Sequence, residues 1–128
     1  MSITDFTLPN IALPKSKGGN AVLLSDWRVT IDGATFDLRA GTTTDGASIP
    51  RFLWRVCGHP LEAPRVYAAL LHDALYGGQF RDLVPTRAAA DEIYRDLLIA
   101  LDVSSFRAYT EYYALRLFGS SHWVEDAT

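Results

Sequence analysis

A single cysteine, Cys57, stands among 128 residues, so no disulfide can form within one chain and a thiolate-rich zinc site is excluded. No run of about 18 apolar residues occurs, and no transmembrane segment is expected. Positive charge is scarce as well: 12 Lys and Arg against 15 Asp and Glu leave a net charge of −3. That balance argues against a protein that binds nucleic-acid phosphates. Met1 to Pro14 lack a basic start followed by an apolar run, so no signal peptide is expected and synthesis in the cytoplasm is. There is no internal repeat, linker or charge run. What remains is a globular composition, 48% hydrophobic and 21% charged, whose 3 Trp, 6 Tyr and 6 Phe suffice for one core. The length suits one domain.

The pattern predicts an α+β fold, a small N-terminal antiparallel sheet followed by a three-helix bundle. Residues 1–20, punctuated by Pro9, Pro14, Gly18 and Gly19, are expected to be an irregular arm, and 21–128 a single domain. Asp32-Gly33 suits a type I′ hairpin turn. Equal register about it sets Ile31 against Ala34, Val29 against Phe36 and Trp27 against Leu38 on one apolar face. The other face pairs Arg28 with Asp37 and Asp26 with Arg39, charges of opposite sign that pin the register. A short strand at Ala21–Leu24 would extend the sheet.

The first helix is predicted from about Ala63 to Tyr76, stopped by Gly77-Gly78. The second starts after a Thr86 cap and runs to about Leu101, with Ala90, Ile93, Tyr94, Leu97, Leu98 and Leu101 on one face. The third starts at Ser104 or Ser105 and ends before Gly119. Its stripe of Phe106, Tyr109, Tyr113 and Leu117, widened by Tyr112 and Leu115, is the face expected to pack inward.

Polar residues on the first helix are few and grouped. Ala69, His72, Asp73 and Tyr76 fall at i, i+3, i+4 and i+7, one narrow strip of an otherwise apolar helix. A His and an Asp there require a hydrogen-bond partner, a metal or a cleft, because burying them unpaired costs several kcal/mol. The nine-residue connection Gly77 to Pro85 makes the first two helices antiparallel neighbours, which brings Asp91 toward His72 and Tyr76. Upstream, Thr42-Thr-Thr44 is extended and Asp45-Gly46 turns sharply, offering a carboxylate and free carbonyls to a cation. Arg51, Arg55 and Arg65 form a modest basic patch beside that loop, and Phe52, Leu53 and Trp54 are expected in the core. Cys57 and His59 sit too close in sequence to pair as nucleophile and base, and zinc held by them with His72 finds no other support. Ser48 lacks a Gly-x-Ser-x-Gly elbow.

Asp45-Gly-x-Ser48, then His72-Asp73-x-x-Tyr76, then Asp91 resembles the bacterial and fungal branch of secreted phospholipase A2 over residues 44–96. That resemblance implies a calcium-dependent acyl-ester hydrolase acting on phospholipid. His72 would be the general base, Asp91 and Tyr76 would hydrogen-bond behind it, and Asp45, the Gly46 carbonyl and Asp73 would hold calcium. Ser48 and Arg51 would bind substrate. The family's disulfides are missing, with Ala47 and Leu71 where cysteine is expected. A closer resemblance is to a family of small phage and prophage proteins of unassigned function. It rests on Thr44-Asp-Gly-Ala-Ser-Ile-Pro-Arg51, Leu53-Trp54, His72-Asp-Ala-Leu-Tyr76, Arg87-x-x-x-Asp91 and Phe118-Gly119 with Trp123. It implies a virion component near the tail or its tip, with other virion proteins as partners. The polar residues would then form a structural network; the hydrolase is the alternative.

Overall fold

The computed structural model of the chain describes residues 3–6, 8–13, 20–46, 53 and 64–125. The architecture is α+β: short antiparallel strands precede three helices. One sheet, in the order β1-β4-β5, holds β1 (Ile3–Phe6), β4 (Trp27–Ile31) and β5 (Ala34–Leu38). The second, in the order β2-β3-β6, holds β2 (Ile11–Ala12), β3 (Ala21–Leu23) and β6 (Thr43–Thr44).

The β4–β5 hairpin has the expected register, from Trp27 opposite Leu38 to Ile31 opposite Ala34. Asp32 and Gly33 both take positive φ, 50° and 82°, as a type I′ turn requires. Trp27, Val29, Ile31, Phe36 and Leu38 are buried, while Arg28 meets Asp37 across the solvent face at 2.7 Å. Asp26 accepts instead from the Ala40 backbone N–H. Trp27 packs edge-on against Tyr67, and Phe36 against Phe80, so the hairpin's apolar face is closed by the helical half.

Two segments of the first twenty residues are strands rather than irregular chain. β1 pairs with β4, and β2 pairs with β3. Neither has enough alternation to declare itself, but each satisfies the free backbone edge of a strand formed elsewhere. The Tyr67 hydroxyl donates to the Pro9 carbonyl and fastens this segment to the first helix.

The helices are α1 (Arg65–Tyr76), α2 (Arg87–Ala100) and α3 (Ser105–Phe118). Thr86 and Ser104 cap α2 and α3 by accepting from the Ala89 and Arg107 amides. The expected face of α2, from Ala90 to Leu101, is buried as a unit. α1 is buried on nearly every side, and only Asp73 among its residues is partly exposed.

α3 is rotated from the expected orientation. Phe106, Tyr113 and Leu117 are 71%, 58% and 74% exposed, while Ala108, Glu111, Ala114 and Leu115 face the core. The sequence offers this helix two faces, one large and aromatic, one of small residues around a single acid. Arg65 decides between them. Its guanidinium is buried and needs a carboxylate, which Glu111 provides in a bidentate pair, Nε to Oε2 at 3.0 Å and Nη2 to Oε1 at 2.5 Å. Tyr94 adds a third bond, its hydroxyl donating to Glu111 Oε1 at 2.7 Å. Arg65 is therefore no part of a solvated basic patch.

This rotation sets an expected outcome for chemical denaturation. Glu111→Ala leaves the Arg65 charge buried without its carboxylate and should cost about 3–5 kcal/mol. Arg65→Met combined with Glu111→Leu removes both charges and should recover most of that loss. A near-neutral Glu111→Ala would show that α3 presents its aromatic face inward.

Candidate functional site

Asp91 sits at the centre of a polar cluster built by all three helices. The α1 strip brings His72 Nε2 to 3.0 Å from Asp91 Oδ1, and the Tyr76 hydroxyl donates to the same oxygen at 2.5 Å. From α3, Arg116 Nη1 donates to Asp91 Oδ2 at 2.8 Å, and Arg87, one turn before Asp91 on α2, lies 3.6 Å from that oxygen. The side chains of His72 and Asp91 are wholly buried. His72 also stacks on Tyr76, with centroids 4.0 Å apart, and meets the Tyr94 ring edge-on at 5.0 Å.

Charge and hydrogen bonding fit together. Burial alone would raise the Asp91 pKa, but bonds from His72, Tyr76 and Arg116 outweigh it and hold the carboxyl below its usual range. An ionised carboxylate only accepts, so the proton of the shared bond belongs to His72 Nε2. In the neutral ring this leaves Nδ1 as the lone-pair nitrogen, and Nδ1 is buried without a hydrogen-bond partner among the described residues. Burial and the Asp91 carboxylate push the Tyr76 hydroxyl well above its ordinary value, which keeps it a donor.

Asp73, the next residue, belongs to a separate contact. Thr44 Oγ1, on β6, donates to Asp73 Oδ2 at 2.5 Å and itself accepts from the Gly46 N–H at 3.1 Å. Burial raises the Asp73 pKa, opposed by the Thr44 bond and by His72, and the neighbouring Asp45 charge raises it further. Asp45, Gly46 and Asp73 are thus brought together, with the Asp45 side chain exposed and Gly46 buried. Their oxygens have the hard character calcium prefers, but a calcium ion takes about 6–8 of them. Among the described residues no group of three or more His, Cys, Asp or Glu side chains converges, and Thr44 already engages Asp73 Oδ2. Ser48 and Arg51, expected to bind substrate, lie outside the described residues, as do Cys57 and His59.

Arg116 was not singled out from the sequence and has no local signal, since only the rotation of α3 directs it at Asp91. Thr44 stood in the Thr44–Arg51 motif, but its bond to Asp73 had no local signal. Arg87 also donates to the Leu115 and Arg116 carbonyls, at 2.9 and 3.3 Å, and so ties the start of α2 to the end of α3. The segment after α3 closes the cluster. Trp123 packs at 90° on Tyr76, the Val124 N–H donates to the Tyr76 carbonyl, and Arg81 stacks on Trp123 while donating to the Val124 carbonyl. Gly119 permits this approach, because a Cβ there would lie 2.6 Å from the Leu115 carbonyl oxygen and 3.0 Å from the Tyr76 hydroxyl.

The opposed shifts of Asp91 and Asp73 predict a pH profile. With its pKa lowered by folding, Asp91 contributes stability that is fully present above the usual carboxylate value and lost as pH falls below about 4. Asp73 has the opposite sign: its pKa is raised, so its ionisation costs stability as pH climbs through the same region. Thermal melts between about pH 3 and 7 should show an acid loss that Asp91→Asn flattens and Asp73→Asn leaves in place. An acid limb unchanged in Asp91→Asn would place the titrating group elsewhere.

No curated protein and no solved structure matches the chain. A family profile does, over residues 21–115, a span that holds the hairpin, β6, α1, α2 and Asp91 with all its side-chain donors except Arg116. The chain belongs to DUF1353, a family described as protein of unknown function.

Proposed function

We propose that the protein is a virion-associated component of a phage or prophage, placed at the tail or its tip, and that its His72–Asp91 cluster is a structural network. The observation that carries the structural role is the fully buried Asp91 carboxylate on α2, which accepts hydrogen bonds from α1 and α3 and lies 3.6 Å from Arg87 of its own helix. A carboxylate so enclosed and so fully bonded is an organising centre for the fold. Support for the phage setting is the likeness of Thr44–Arg51, His72–Tyr76 and Arg87…Asp91 to small phage proteins. Partners in this reading are other virion proteins, and the chain is made in the host cytoplasm.

A second reading is favoured by one specific feature, the unpartnered His72 Nδ1. A histidine held through Nε2 by a carboxylate, with Nδ1 free, is arranged to take a proton from water. In this alternative the protein is a calcium-dependent acyl-ester hydrolase acting on phospholipid. Asp91 and Tyr76 orient the ring, while Ser48 and Arg51 contact the substrate. Asp45, the Gly46 carbonyl and Asp73 would hold calcium, whose chemistry is to polarise the ester carbonyl.

Two substitutions separate the readings. In the structural one, His72→Ala removes a donor from buried Asp91 and should cost about 1–3 kcal/mol in thermal melts, with no response to calcium. Asp91→Asn should lower stability likewise. In the hydrolase reading the same loss of stability is joined by a calcium-dependent rise in the melting temperature of wild type and variant alike, and ester hydrolysis falls by about two or more orders of magnitude. For the virion role, mass spectrometry of particles purified from the encoding phage should find the chain in the particle fraction. Its absence there would remove the virion assignment.

A further inference from the structure

The face that α3 turns outward is large, apolar and unused by the network beneath it. We propose that it is the interface of a homodimer in which two copies of α3 pack antiparallel across a two-fold axis, an inference independent of the function assigned above. The stripe of Phe106, Tyr109, Tyr113 and Leu117 runs the length of the helix, and Thr110 is the one polar residue along it.

Area and composition favour a second copy. An aromatic side chain carries roughly 150–250 Å², so at these exposures the four residues present on the order of 400 Å² of apolar surface. A standard interface buries about 800 Å² per partner, of which a little over half is apolar. The stripe therefore supplies the apolar centre of such an interface.

Symmetry also fits. A closed dimer needs a patch complementary to itself. Phe106 and Leu117 lie almost equally far from the middle of α3, at Glu111–Tyr112. Antiparallel packing therefore sets Phe106 over the partner's Leu117, with the tyrosines about the axis. Phe106, Tyr109, Tyr113 and Leu117 are themselves uncharged, so two copies of the stripe meet without like charges among those four side chains.

The surface is ordered in advance. Tyr112 and Tyr113 rings lie 5.2 Å apart, Tyr109 is 6.4 Å from each, and the Arg95 guanidinium stacks on Tyr109 and Tyr112 at 5.1 and 4.9 Å. Rings held by one another lose little freedom on association. Tyr and Arg are also the residue types that dominate binding energy at interface centres.

Sedimentation equilibrium of the full chain tests the proposal. Wild type should sediment as a dimer at micromolar concentration. Tyr113→Glu and Leu117→Glu should each weaken self-association by about thirtyfold or more, with an unchanged far-UV circular dichroism spectrum. Crosslinking provides a readout that tolerates a poorly folded charge variant. In a Cys57→Ser background, a Phe106→Cys chain mixed with a Leu117→Cys chain should form the mixed disulfide in preference to either symmetric one. A monomeric wild type at its highest soluble concentration overturns the proposal, as does a dimer that both glutamate variants leave intact. Failure of the mixed disulfide also overturns it. So does a monomer whose α3 face binds phosphatidylcholine–phosphatidylglycerol vesicles, which would make this a membrane-docking surface.

Discussion

The burial of Asp91 is the constraint on which the rest of the helical half depends. A carboxylate removed from water must be surrounded by donors, and here they come from α1 and α3, with the Arg87 charge beside it on α2. Each helix is held in rotation and register by what it owes that group. His72 and Tyr76 fix the face that α1 turns to α2, Arg87 fixes the start of α2, and Arg116 fixes the end of α3. With one cysteine and hence no disulfide within the chain, polar geometry ties the helices where they converge.

A second buried cluster repeats the logic at the other end of the bundle. Arg65 opens α1, Glu111 stands midway along α3 and Tyr94 bridges from α2. Two polar centres between the same three helices leave little freedom to rotate any one of them. That rigidity has a consequence for the surface. With Glu111 and Arg116 both committed inward, the aromatic residues of α3 have no course but outward, where they form the apolar stripe.

The relation between His72 and Asp73 bears on the chemistry. The neighbours serve different elements: His72 reaches across to α2, while Asp73 reaches back to Thr44 on β6. The ring contact between His72 and Tyr76 and the edge contact with Tyr94 hold the imidazole in one orientation, leaving only Nδ1 unspent.

Much of this was legible in the amino-acid sequence, for reasons that are local. The Asp32-Gly33 turn and the alternation around it determine the hairpin register, because a slip of one residue would turn every apolar side chain to water. Thr86 and Ser104 mark helix starts through bonds made within a few residues. The i, i+4 spacing of His72 and Tyr76, with a short antiparallel connection, suffices to bring Asp91 to them. Tertiary structure alone decided the rest. β1 and β2 form because distant strands offer open edges, and periodicity alone favours the aromatic face of α3 over the face that carries Glu111 at its centre. The opposite outcome goes with Arg65, forty-six residues away from Glu111, whose buried guanidinium takes its carboxylate from the inward face of α3.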